Sequence, residues 1–319
     1  MRKIAVVFAG QGAQYPGMGK DFYEHSRRAK ALFDRANELV SFDLHHCCFE
    51  DNILLNDTRY SQPSILVTSL SIYEAMKERL HADIDAFLGF SLGEYSALYA
   101  AGVFELDQII GLIQHRATFM AEASERTKGS MAAILGMKRE DLQALCETIN
   151  KDIGLVRVAN FNSPGQLVVS GVTEAVYATC EKAKTLGARR AIPLNVSGGF
   201  HTPLMAEAAE QMRKTLEKTP SKNPEVPIVM NCDAQYLKDV DFLIEKMVQQ
   251  IQGPVYFEDS IRTLIESGID VFIEIGPGQV LGGLIRKIDG SKTVFSIDKI
   301  TDLDTLVEWM GGSNYESNE

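Results

Sequence analysis

The sequence predicts an α/β fold: a parallel-sheet core interrupted by a small unit of different texture. Three observations predict it. Continuous apolar runs at 3–9, 86–90 and 271–275 lie beside glycines and alternate with segments of helical periodicity, as strands buried in a parallel sheet do. Between about 124 and 197 the runs shorten into four strand-like pieces and two helices. Beyond that stretch the longer α/β pattern resumes.

Taken in order, the first strand is 3–9 and stops at Gly10. Helical periodicity covers 22–40 and 61–80, with Pro63 placed near the start of the second helix, where a missing N–H costs nothing. A buried strand at 86–90 feeds a helix at 91–101, and 106–123 is again helical. The inserted stretch gives strands at 131–136, 155–160, 167–171 and 190–196, with helices at 139–150 and 174–186. That β-α-β-β-α-β order is the signature of a ferredoxin-like unit. Afterwards 203–217 is helical, 228–231 a strand, 240–252 a helix, 271–275 a buried strand before Gly276-Pro277-Gly278, and 292–297 a last strand. The expected organisation is a hydrolase-like parallel-sheet core (1–124 and 198–310), an inserted ferredoxin-like small subdomain (125–197), and a frayed polar tail (311–319).

Composition bounds the function. The 319 residues are 45% hydrophobic and 24% charged, ordinary for a soluble globular enzyme. The apolar run at 4–9 is too short for a secretory leader, and no stretch is long enough to cross a bilayer, so a cytoplasmic protein that avoids membranes is expected. A net charge of -11 with no basic, aromatic-rich segment speaks against nucleic-acid binding. Five scattered cysteines suit reduced thiols. The block His45-His46-Cys47-Cys48 points its side chains in different directions, so no metal site is expected. Two basic clusters, Lys182, Lys184, Arg189 and Arg190, and Arg286 with Lys287, could meet an acidic partner or form solvated faces.

Gly89-Phe90-Ser91-Leu92-Gly93 fits GxSxG between a buried strand and a helix, the context of a nucleophile elbow. The flanking glycines permit a tight turn, and the helix beginning there aims N–H groups at a developing oxyanion. An ordinary glycine-rich turn with an incidental serine is the bland alternative. A serine nucleophile needs a base. His25 and His81 lie in charged helical surroundings, His115 adjoins Arg116, and His201 alone follows a loop with paired glycines. A lone histidine there is structural or catalytic. No aspartate with a convincing motif stands ready to orient it. The loop 10–14 is neither a phosphate loop nor a dinucleotide fingerprint, because Met18 and Tyr15 fall where those motifs need other residues.

The stretch GFSLGEYSALYAAGVF resembles the active-site segment of the malonyl-CoA:acyl carrier protein transacylases, which load malonyl groups for fatty-acid synthesis. Further segments fall in that family's order: Gly10-Gln11-Gly12-Ala13-Gln14, Arg116 in QHRATFM, 160–166 before a VVSG strand, Phe200-His201 in NVSGGFHTPLM, and Gly276-Pro277-Gly278. One departure is Phe90, where the family commonly carries histidine; the pocket beside the serine becomes more apolar.

The resemblance implies catalytic Ser91 and His201, with the Gln11 and Leu92 amides as oxyanion hole. It implies a substrate site of Arg116, Gln250, Asn160, Asn162 and Phe200. Arg116 would bind the malonyl carboxylate through paired hydrogen bonds. The main-chain carbonyl of Gln250 would hold the imidazole, and the Phe200 ring would crowd a branched acyl chain. Asn160 and Asn162 would bond the pantetheine arm or cap a turn; Glu94 and Tyr95 would serve packing. The implied reaction is ping-pong transfer from malonyl-CoA to the phosphopantetheine thiol of an acidic acyl carrier protein, with coenzyme A thioester as substrate and no cofactor. Rival readings are a serine thioesterase or esterase, a non-catalytic docking subunit, a subunit of a malonate-decarboxylating complex, and a standalone acyltransferase of a polyketide synthase.

Overall fold

The computed structural model describes residues 2–50, 53–80, 82–196 and 198–315; His81 and the tail residues 316–319 lie outside them. Its main sheet has four parallel strands, β1 (Lys3–Phe8), β2 (Ala86–Gly89), β7 (Ile269–Ile275) and β8 (Thr293–Ile297), in the order β2-β1-β7-β8. Val6, Val7 and Phe8 are fully buried because helices cover both faces. Pairing of Phe8 with Gly89 and with Ile275 brings the carboxyl ends of three strands level. The loops at 9–14, 90–92 and 276–278 therefore meet at one edge, where open parallel sheets bind ligands.

The second sheet contains β3 (Gly129–Leu135), β4 (Val156–Ser163), β5 (Gln166–Val172) and β6 (Arg190–Pro193), antiparallel in the order β4-β5-β3-β6. Helices Arg139–Asp152 and Thr173–Thr185 bury Leu142, Ile149, Val176 and Ala183 against Ile134, Val158 and Val169 of the sheet. This unit is tied to the core. Phe161 N–H donates to Val255 O (3.0 Å), and Val255 N–H donates to Ala159 O (2.9 Å). Arg139 grips both Asp259 oxygens (2.8 and 3.0 Å) while its guanidinium lies 3.9 Å over the Phe161 ring.

Several elements differ from expectation. The segment 22–40 is two helices, Lys20–His25 and Arg27–Leu39, because Ser26 is extended (φ −121°) and its side chain caps Ala29 N–H. The next helix starts at Thr58, capped by Asp57, so it runs Thr58–Arg79 and places Pro63 in its interior. Pro63 thus forgoes a bond to the Arg59 carbonyl one turn earlier, contrary to the expectation that its missing N–H is free. The segment 228–231 is no strand; Ile228 meets Phe87 of β2 in a single parallel bridge. Among the described residues four helices escaped the periodicity reading: Leu44–Phe49, Phe257–Glu266, Val280–Ile288 and Ile300–Tyr315. The final helix, Ile300–Tyr315, runs into the stretch expected to fray. No helix among the described residues is long and apolar enough to cross a membrane.

Candidate active site

Ser91 stands at the carboxyl end of β2 with φ 52°, a left-handed conformation that costs a non-glycine residue ~1–3 kcal/mol. The strain sits on the serine, not on the motif's glycines. Those are required by close approach: a Cβ on Gly89 would fall 1.9 Å from the Gly93 carbonyl carbon, and one on Gly93 would fall 2.3 Å from Phe8 O. Strand and helix therefore touch backbone to backbone. The turn is further tied by Asn231, whose Oδ1 accepts from Ser91 N–H (2.7 Å) and whose Nδ2 donates to Gly89 O (2.7 Å).

His201 is strained in the same way (φ 60°), and its Nε2 lies 2.8 Å from Ser91 Oγ. Its Nδ1 lies 2.8 Å from the main-chain oxygen of Gln250. A carbonyl only accepts, so Nδ1 carries the proton and Nε2 presents a lone pair to the serine. No carboxylate is needed to fix that tautomer. Burial, and then the positive charge of Arg116, push the imidazole down to about 4, against the raising effect of the Gln250 and Gly253 backbone. The ring is neutral at physiological pH and ready to take a proton.

Arg116, on helix Leu106–Thr127, is only 1% exposed. Nη1 donates to Gln62 Oε1 (2.7 Å), and Nη2 donates to Ser91 Oγ (3.2 Å) and Gln250 Oε1 (3.1 Å). Its carbon sits 5.3 Å from the Tyr95 ring centroid. Among the described residues it has no carboxylate within ion-pair distance, and its Nε is buried without a partner. The hydrogen bonds that hold this buried guanidinium go to two neutral amides and a hydroxyl, which leaves its charge unbalanced by an ion pair.

Ser91 and His201 open into a cavity of about 490 Å³ between the two sheets. Gln11, Phe90, Asn160, Asn162 and Phe200 line it; Arg116, Leu92 and Gln250 are buried and are not among its lining residues. Among the described residues the Gln11 and Leu92 N–H groups have no protein acceptor. The Asn162 Oδ1 is buried without a partner, on a residue that lines the same space. Phe90 packs edge-on against Phe257, with ring centroids 5.3 Å apart. Of the two basic clusters, Lys287 donates to Gln166 Oε1 (3.0 Å), a residue of the cavity wall, whereas Lys184 is paired with Glu181 (2.7 Å). His45 packs among Tyr23, Phe33 and Phe49, remote from Ser91 in the contacts it makes.

Sequence reasoning missed three of the site's residues. Gln62 and Asn231 carry no motif. Glu94 belongs to the serine motif but was assigned to packing; it is fully buried, and its oxygens accept from Asn231 N–H (2.7 Å) and Gln250 Nε2 (3.2 Å). Burial pushes its carboxyl up to about 8, opposed by the Asn231 N–H and by Arg116. The only available signal was the GE pair following the serine.

Comparison with known proteins shows the family and the fold. The acyl transferase domain model matches residues 5–295. The chain is 40% identical over 316 residues to a malonyl CoA-acyl carrier protein transacylase of Bacillus subtilis (strain 168), covering 98% of this chain and 99% of the relative. A crystal structure of malonyl CoA-acyl carrier protein transacylase from Clostridium perfringens superposes with a TM-score of 0.95 at 36% identity, covering 99% and 100% of the two chains. A malonyl-transacylase solved in complex with its type II PKS acyl-carrier protein gives 0.93 at 33% identity, covering 96% and 99%.

Proposed function

The chain belongs to the acyl transferase domain family, and from that premise we propose that it moves a malonyl group from malonyl-CoA to the phosphopantetheine thiol of acyl carrier protein. The observation that carries the reading is the Ser91 Oγ placed between a neutral histidine at 2.8 Å and a buried guanidinium at 3.2 Å. Ser91 Oγ attacks the thioester carbonyl carbon while its proton passes to His201 Nε2. The resulting oxyanion is received by the Gln11 and Leu92 N–H groups, each such donor contributing ~3 kcal/mol to the transition state. Collapse breaks the carbon–sulfur bond, and His201 returns the proton to the departing coenzyme A sulfur. In the second half-reaction the carrier-protein thiol gives its proton to His201, attacks the Ser91 ester, and the proton returns to Oγ.

Arg116 exchanges its contact with Ser91 Oγ for the malonyl carboxylate, which lies only two bonds beyond the reacting carbonyl. That pairing draws the acyl group against the wall and limits access of water. Asn160 and Asn162 bind the pantetheine arm, and Phe200 bounds the acyl pocket. The unit 125–197 is an inserted subdomain that covers the cleft, and Lys287 and Arg286 at its margin suit an acidic carrier protein. The chemistry calls for neither metal nor redox cofactor, and a cytoplasmic setting in fatty-acid synthesis fits it.

A thioesterase shares the serine and histidine, so the partition of the acyl-enzyme decides between them. With malonyl-CoA and carrier protein both present, transfer should exceed hydrolysis; if water takes most of the malonyl groups, the transferase reading fails. A second expectation concerns pH. Because His201 is held near 4, kcat/KM for the acylation half-reaction should stay level from pH 7 to below 6 and fall only as His201 gains a proton at lower pH. An acid limb centred near the ordinary histidine value would mean that His201 is not the base, or that its environment differs.

A further inference from the structure

Gln250 bonds to the machinery in four directions. Its main-chain oxygen accepts from His201, its Oε1 accepts from Arg116 Nη2, and its Nε2 donates to Ser91 O (2.7 Å) and to Glu94 Oε1 (3.2 Å). The orientation of the side-chain amide is dictated by these neighbours. Turned over, it would set its oxygen against two acceptors and its NH2 against the Arg116 donor. Glu94 supplies one of the two acceptors that hold it. The other Glu94 oxygen accepts from the N–H of Asn231, the residue that ties down Gly89 O and the Ser91 N–H on either side of Phe90.

We propose that Glu94 is a positioning residue: one oxygen fixes the Gln250 amide so that its carbonyl end faces Arg116, and the other anchors Asn231 and with it the Ser91 turn. The two oxygens thereby act on separable parts of the reaction. The Gln250 arm sets the cation that reads the malonyl carboxylate. The Asn231 arm sets the nucleophile, which every acyl donor uses. This inference rests on the reading of Ser91 and Arg116 given above.

Glu94→Gln separates the two arms. The amide keeps one acceptor oxygen but has no lone pair on its nitrogen, so in either orientation one donor of the pair Asn231 and Gln250 faces another donor. The Asn231 contact is the shorter, backbone-anchored one and retains the oxygen; the Gln250 amide loses its acceptor. Loss of a hydrogen bond aimed at a charged site should lower the malonyl-over-acetyl ratio of kcat/KM by ~10-fold relative to the unmodified protein. Glu94→Ala removes both contacts, and transfer of both acyl groups should fall.

A Glu94→Gln protein that loses malonyl and acetyl transfer in equal proportion, or keeps its preference intact, overturns the proposal, since a packing role alone predicts one of those outcomes. Should the variant not fold, amide exchange in the unmodified protein decides. The Gln250 side-chain NH2 should exchange ~100-fold more slowly than that of exposed Gln249, and equal exchange overturns the proposal. An unmodified protein that takes up no malonyl group would instead sink the functional reading, before any variant is made.

Discussion

Ser91→Ala is expected to lower malonyl transfer by at least ~10⁴-fold, because it removes the atom that forms the ester and no other group can replace it. The fold should survive. Alanine carries the same Cβ at φ 52° as serine, so the backbone strain is unchanged, and the N–H bond to Asn231 is kept. What disappears is one oxygen that donates to His201 and accepts from Arg116. Thermal melting should move little while acylation by malonyl-CoA vanishes. Residual acylation near the unmodified rate would place the nucleophile elsewhere.

Arg116→Ala should have the second-largest effect, and its signature is selectivity. An uncompensated carboxylate brought into a buried, low-dielectric site costs several kcal/mol, so kcat/KM for malonyl-CoA should fall ~10²- to 10³-fold. Acetyl-CoA has no carboxylate and should lose far less, with its residual loss tracing to the Nη2 contact with Ser91 Oγ. Arg116→Lys should recover part of the malonyl rate, since an ammonium keeps the charge but not the planar pair of donors. Equal losses for the two acyl groups would refute the carboxylate role.

How much of this was legible in the sequence depends on how local each signal was. The Ser91 turn announced itself because an apolar strand, two glycines and a helix are contiguous, and the glycines are there for the close contact of Gly93 with the end of β1. His201 and Arg116 were legible only through short segments resembling a family. Asn231 was invisible because its role arises from pairing with a residue 140 positions away, and the chain around it meets β2 at one bridge, too brief to leave a strand pattern. Glu94 was assigned to packing for a related reason: the residues it bonds, Asn231 and Gln250, lie far along the chain. The carbonyl of Gln250 does the orienting that an aspartate performs in hydrolases, and main-chain atoms have no sequence signature.

The boundary errors have similar causes. Pro63 was read as a helix start, but Asp57 had already capped the helix, and the buried packing of 58–76 outweighs one missing hydrogen bond. The helix Phe257–Glu266 was passed over although its buried residues Phe257, Ile261 and Leu264 recur at helical spacing.

The account stands on an ester forming at Ser91. Mixing the protein with malonyl-CoA, quenching in acid and mapping the peptides by mass spectrometry tests this most directly. A malonyl group on the peptide bearing Ser91, discharged on adding carrier protein with its phosphopantetheine thiol, is the predicted result. A malonyl group on any other residue, or a Ser91 peptide that stays unmodified while carrier protein is loaded, would contradict it.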